Sequence, residues 1–218
     1  MSSIRGKYGV PAEIKTAYEE AAELSNRGEY KKARRILLEL VKVYPGEPRL
    51  LNSLGNTFAR TDGEKEKAVE YYRRALEIAP DLAPALNNLS ALYSALGRYE
   101  ESAEYARRAI KADRESPVPW NTLGLYYARK GDVKTGLEYF LASFSYGGGY
   151  RIAAYNAACA LTELGRAEEA LGYLEKSLYD VRLYHDALKD PVLDPLRDIP
   201  EFGAIMAEAA ERFEGPPD

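Results

Sequence analysis

An all-α fold built from repeated helix pairs is what this 218-residue sequence predicts, and three observations predict it. Gly28, Gly63, Gly97, Gly131 and Gly165 recur at separations of 35, 34, 34 and 34 residues. Five residues after each glycine stands a small side chain, in turn Ala33, Ala68, Ser102, Gly136 and Ala170, and four further on come Leu37, Tyr72, Ala106, Phe140 and Leu174. Upstream of each glycine lies an apolar run at helical i, i+3, i+4, i+7 spacing.

The first run is weak: Ala17, Ala21 and Leu24, with Glu20 where an apolar residue belongs. The second is Leu51, Leu54, Gly55 and Phe58, and the third Leu86, Leu89, Ser90 and Tyr93. Trp120, Leu123, Gly124 and Tyr127 make the clearest run, and Ala154, Ala157, Ala158 and Leu161 the fifth. Each unit is thus two amphipathic helices joined at a glycine, where the chain turns through a conformation that only glycine adopts without penalty. Pro48, Pro84 and Pro117 fall where first helices start, because a missing amide proton is harmless there, and Pro45 and Pro80 end second helices. These signals cut the chain into a lead-in at 1–13, five units at 14–47, 48–82, 83–116, 117–150 and 151–184, and a tail at 185–218. The extra residue of the second unit falls in the turn Thr61-Asp62-Gly63-Glu64.

The pattern resembles the tetratricopeptide repeat family, whose unit has a Trp-x-x-Leu-Gly-x-x-Tyr first helix, a small residue early in the second helix and a closing proline. Trp120-x-x-Leu123-Gly124-x-x-Tyr127 matches residue for residue, Leu51-x-x-Leu54-Gly55-x-x-Phe58 nearly so, and about 170 of the 218 residues are in phase. The departures are Glu20 and the missing closing prolines of the last three units, where Arg114, Gly148 and Arg182 stand. The resemblance implies a right-handed superhelical solenoid that binds a protein or peptide in a concave groove.

A chain that is 46% hydrophobic and 29% charged suits a folded protein rather than a disordered one. A net charge of −4 argues against general nucleic-acid affinity, which needs a basic surface. No window approaches the roughly 18 apolar residues of a membrane span, and Met1 to Val10 holds no signal-peptide core. With Cys159 the single cysteine, no internal disulfide is possible and a cytoplasmic location is expected.

Catalytic motifs are missing. His185 and Cys159 assemble no metal cluster, neither a Walker-type loop nor Gly-x-Ser-x-Gly occurs, and Gly147-Gly148-Gly149 follows a helix, as an inter-repeat turn does. Cys159, in the small-residue run Tyr155 to Leu161, reads as a packing residue, and His185 as a surface residue near a helix boundary. The expectation is a non-catalytic interaction module with no cofactor or metal. A self-assembling scaffold, or a regulatory or substrate-recruiting subunit of an enzyme or secretion complex, stands as the alternative. Sequence leaves monomer and homo-oligomer undecided.

The first helices carry a second periodicity on the face opposite the packing residues. Asn52, then Asn87 and Asn88, then Asn121, then Asn156 occupy the fifth or sixth place of successive units, with Tyr18 there in the first. Asparagine is a poor helix-interior residue, so its recurrence needs another reason. One reason is an amide ladder contacting the backbone of an extended peptide, similar to that in the repeats of O-linked N-acetylglucosamine transferases; the other is a link between neighbouring repeats. Arg49, Asn56, Arg60 and Arg129 extend the same face, which favours an acidic segment or a free C-terminal carboxylate as partner. The carboxylate clamp of heat-shock cochaperones does not fit: Asn52, Asn56 and Asn88 are present, but its three basic residues are not.

The tail, Asp190-Pro-Val-Leu-Asp-Pro-Leu-Arg-Asp-Ile-Pro-Glu-Phe202, resembles the segment after the last repeat of many bacterial tetratricopeptide proteins. Three prolines forbid one continuous helix, a short helix is expected from Gly203 to Phe213, and residues 214–218 are expected to be disordered.

Overall fold

In the computed structural model the described residues, 10–215, contain helices and turns and no strand. The expectations for residues 1–9 and 216–218 lie outside them. The helices are α1 (Lys15–Asn26), α2 (Tyr30–Val43), α3 (Pro48–Ala59), α4 (Lys65–Ile78), α5 (Ala83–Ala95), α6 (Tyr99–Ala112), α7 (Pro117–Arg129), α8 (Val133–Tyr146), α9 (Arg151–Glu163), α10 (Ala167–Ser177), α11 (Val181–Ala187) and α12 (Pro200–Glu214). They pack as consecutive pairs: α1 on α2, α3 on α4, α5 on α6, α7 on α8 and α9 on α10. No described helix is long and apolar enough to cross a membrane.

The recurring glycines close the turns within the pairs, with φ between +71° and +82° at the five positions. After α1, Gly28 N–H donates to Ser25 O at 3.0 Å and Glu29 N–H to Leu24 O at 2.9 Å, a Schellman closure that satisfies two carbonyls left over at the helix end. The same two bonds recur at Gly97, Gly131 and Gly165. At Gly63 the bonds run instead from Thr61 N–H to Phe58 O and from Glu64 N–H to Thr61 O, which is how the longer second unit absorbs its extra residue. Gly124 has a different reason: a Cβ there would stand 2.4 Å from the Phe140 ring, so the second helix lays its aromatic directly on the backbone of the first.

The chain divides into two compact units, Met1–Ala112 and Asp113–Asp218. The core of the first joins Leu37, Leu50, Leu54, Ala68, Tyr72, Leu86 and Leu89, all nearly or fully buried. Arg34 of α2 pins the end of α3: its Nη2 donates to Thr57 O at 3.0 Å and Thr61 Oγ1 at 2.7 Å, and its Nη1 meets Glu64 Oε2 at 2.6 Å.

The core of the second unit runs through Leu137, Phe140, Leu161 and Leu174 into the tail, where Leu193, Leu196, Phe202 and Ala209 are buried in the same cluster. A 3-10 turn, Pro191–Leu196, packs on α9, and α12 packs on α10 and α11. The tail helix begins at Pro200, three residues earlier than Gly203, because proline at the first helical position forgoes no hydrogen bond. Val181 and Leu188, two apolar residues of this region, are exposed by 44% and 43% and take no part in that burial.

Candidate interaction groove

Two neighbouring cavities open along α1, α3 and α5 of the first unit. One, of about 300 Å³, is lined by Tyr18, Arg49, Asn52 and Asn56 over an apolar floor that includes Leu37 and Leu82. The other, of about 670 Å³, is lined by Asn56, Arg60, Tyr72 and Asn88. Ser25, Asn26 and Asn56 belong to both. Two arginines and no carboxylate line the pair, although the chain as a whole is acidic.

The asparagines are bonded to one another across repeats. Asn88 Nδ2 donates to Asn52 Oδ1 at 3.0 Å and to Asn56 Oδ1 at 2.8 Å, and the Tyr72 hydroxyl donates to Asn56 Oδ1 at 2.8 Å. Tyr18 takes the equivalent step with Ser53, oxygen to oxygen at 3.0 Å. In the second unit Asn156 Nδ2 donates to Asn121 Oδ1 at 2.8 Å. A single rule covers Tyr18–Ser53, Asn52–Asn88 and Asn121–Asn156: the fifth place of one unit meets the sixth place of the next, 35 or 36 residues on. Burial pushes the Tyr72 phenol above its ordinary pKa, only partly opposed by the positive charge of Arg60, so its hydroxyl stays a donor.

The rule continues into the tail, where no repeat pattern is visible in the sequence. The Tyr155 hydroxyl, at the fifth place of the fifth unit, donates to Asp190 Oδ2 at 2.8 Å, 35 residues on. Asp190 Oδ1 accepts the Val192 N–H at 3.0 Å and so caps the 3-10 turn, while Cys159 Sγ lies 3.8 Å from Oδ2. Burial, and then the neighbouring Asp190 carboxylate, push the Cys159 thiol far above its ordinary pKa. A thiol held protonated is a poor nucleophile, which fits a packing role.

Of the residues singled out from sequence, the structure brings Tyr18, Arg49, Asn52, Asn56, Arg60 and Asn88 to the two cavities. Asn87 stands half-buried on α5 beside Asn88 but lines neither. Asn121, Asn156 and Arg129 belong to the second unit; Asn121 is buried, Asn156 half-buried, and Arg129 exposed at the end of α7. Ser25, Asn26 and Ser53 also line the first cavity and escaped sequence reasoning. Ser53 was findable, since it sits 35 residues after Tyr18 as Asn156 does after Asn121.

Two tetratricopeptide repeat models match the sequence, one over residues 18–83 and the other over 59–124. This is a tetratricopeptide repeat protein. PilF of Pseudomonas aeruginosa is similar to this tetratricopeptide protein with a TM-score of 0.75 at 19% identity, over 93% of this chain and 92% of PilF. MamA from Desulfovibrio magneticus RS-1 is similar with a TM-score of 0.64 at 17% identity, over 80% of this chain and 98% of that one. A chain of the APC/C hetero-tetramer Cut9–Hcn1 reaches 0.75 at 16%, over 93% of this chain and 41% of its own length. At such identities the likeness is one of fold. The photosystem I assembly protein Ycf3 of Cyanophora paradoxa is 46% identical over 37 residues, a segment that spans 17% of this chain and 21% of that relative. The tetratricopeptide fold is that of a protein-protein interaction module, generally without catalysis of its own.

Proposed function

We propose that this tetratricopeptide protein is a non-catalytic adaptor of the cytoplasm that takes an extended acidic segment, or a free C-terminal carboxylate, in the groove along α1, α3 and α5. One observation carries the reading. Asn56 Oδ1 already accepts two hydrogen bonds and Asn52 Oδ1 one, which leaves Nδ2 as the donor each amide offers in the lining, beside Arg49 and Arg60 and with no carboxylate in that lining. A lining of donors and positive charge selects a ligand rich in acceptors and negative charge. Backbone carbonyls of an extended segment and terminal or side-chain carboxylates meet that description.

The test is binding of peptides selected from a library with free C-termini, followed by fluorescence anisotropy. Acidic sequences are expected to be enriched, their affinity to fall as salt rises, and Arg49→Glu and Arg60→Glu to weaken binding about tenfold or more each, equivalent to about 1.4 kcal/mol. Enrichment of neutral or basic peptides, or affinity indifferent to both arginine reversals, would overturn the reading.

A further inference from the structure

A second surface lies between α10 and α12, independent of the groove reading. The two helices flank a cavity of about 780 Å³ whose floor includes Leu171, Gly172, Ile199 and Ile205. Its walls are carboxylates: Glu168 and Glu175 from α10, Glu201 and Glu208 from α12. Each pair is seven residues apart, two helical turns, so both helices present a row of negative charge along the same apolar trough. No basic side chain lines it.

Part of this charge has a local explanation and part does not. Glu168 and Glu201 stand in the first turns of their helices, where a carboxylate offsets the helix dipole. Glu208 is paired with Arg212 at 2.7 Å. Glu175 has the opposite placing: it lies in the last turn of α10, where the dipole disfavours negative charge. The nearest cations along α10 are committed elsewhere, Arg166 to Glu169 at 2.7 Å and Lys176 over the Tyr173 ring at 4.6 Å.

Gly172 is the independent second observation. It sits in the interior of an eleven-residue helix, where glycine is among the least favourable residues, and it adopts no left-handed conformation. Gly124 earns its place because a Cβ would strike Phe140, but a Cβ at Gly172 would meet nothing within 4 Å. No contact among the described residues requires a glycine here. A close approach from outside the chain would, and the trough wall is where it would occur.

The geometry points to a docking site for an amphipathic helix of a partner protein, with an apolar stripe against Leu171, Ile199 and Ile205, lysines or arginines along both edges, and its closest approach over Gly172. An apolar trough between two helices suits a helix laid in a groove, and the two acidic rows set the sign of its flanks.

The probe is a synthetic helical peptide, capped at both ends, with leucines at i, i+3, i+4 and i+7 and lysines on both flanks. The controls are the same composition shuffled out of helical period, and the same helix with glutamate for lysine. Binding to the full chain is measured by fluorescence anisotropy for wild type, Gly172→Leu, Glu175→Lys and, as a remote charge reversal, the exposed Glu138→Lys. Expected are binding of the leucine–lysine helix alone, and losses of about tenfold or more in Gly172→Leu and Glu175→Lys. Both variants should keep or raise the thermal midpoint, since each replaces a residue its helix disfavours. Glu138→Lys should bind as wild type does.

Failure of the wild type to bind, equal binding of the shuffled peptide, or an equal loss in Glu138→Lys would each overturn the proposal. So would a wild-type dimer in sedimentation that Gly172→Leu or Glu175→Lys dissociates, because the occupant would then be a second copy of this chain.

Discussion

Replacing Asn88 with alanine removes the donor that ties α5 to α3. Two hydrogen bonds go, to Asn52 Oδ1 at 3.0 Å and to Asn56 Oδ1 at 2.8 Å. At about 0.5–1.5 kcal/mol net each, the gross loss is about 1–3 kcal/mol. Asn56 Oδ1 keeps the Tyr72 hydroxyl, so the acceptor left stranded is that of Asn52, a residue only 8% exposed. Alanine recovers roughly 0.5 kcal/mol of helix propensity, which leaves a destabilisation of about 0.5–2.5 kcal/mol. Repeat arrays need not unfold in one step, so urea unfolding should be accompanied by hydrogen exchange read separately over α3 and α5. A double-mutant cycle with Asn52→Ala should return a coupling of about 0.5–1.5 kcal/mol. An Asn88→Ala protein as stable as wild type, with unchanged protection in both helices and no coupling to Asn52, would refute the strut.

Phe202, 5% exposed among the core residues of the second unit, should cost on the order of 3 kcal/mol when truncated to alanine, with the fall in hydrogen-exchange protection centred on α9, α10 and α12. Survival of that protection would show that the tail does not cover the last repeat. Asp180 caps α11 by accepting the Arg182 N–H at 2.9 Å, and the hydrogen bond from the Arg182 side chain is the main cause that holds its carboxyl down to about 2. A depressed native pKa stabilises the fold above the unfolded value of about 3.9 and loses that contribution as pH falls toward 2. Asp180→Ala should therefore cost about 1 kcal/mol in urea titrations near neutrality and progressively less below about pH 4, a convergence whose absence would exclude this cap as an acid-sensitive element.

What the sequence made legible is what repeats. The helix pairs, the glycine turns and the apolar stripes are written once per unit, and repeated copies average out local exceptions such as Glu20. Long-range contacts made once are invisible by the same logic. Arg34 on the end of α3 reaches across 23 residues and belongs to no pattern, and Asp190 keeps the 35-residue offset under Tyr155 but lies in a tail whose sequence shows no repeat. The asparagine ladder lies between these cases. Its recurrence marked one helix face, but the inter-repeat bond depends on the offset from fifth to sixth place, which becomes visible only when the helices are stacked.

That offset also bears on why the residue is asparagine. A serine or threonine in the same position offers one hydroxyl that rotates, and the Tyr18–Ser53 step is of that kind: either oxygen can donate. An asparagine whose Oδ1 is held by its neighbour can no longer exchange its oxygen and nitrogen by flipping, because the flipped amide would set an N–H group against another donor. The inter-repeat bond therefore fixes the direction in which Nδ2 of Asn52 and of Asn56 can donate. A donor already held in place loses less rotamer freedom on binding than a mobile one. On the proposed reading the two roles weighed for the ladder are successive rather than opposed: the strut sets the amide, and the set amide meets the ligand. A variant that breaks the strut without removing the Nδ2 donors of Asn52 and Asn56, such as Asn88→Ala, should weaken acidic-peptide binding mainly through a larger entropic penalty, visible by calorimetry. Unchanged binding entropy alongside lost affinity would mean that Asn88 contacts the peptide itself.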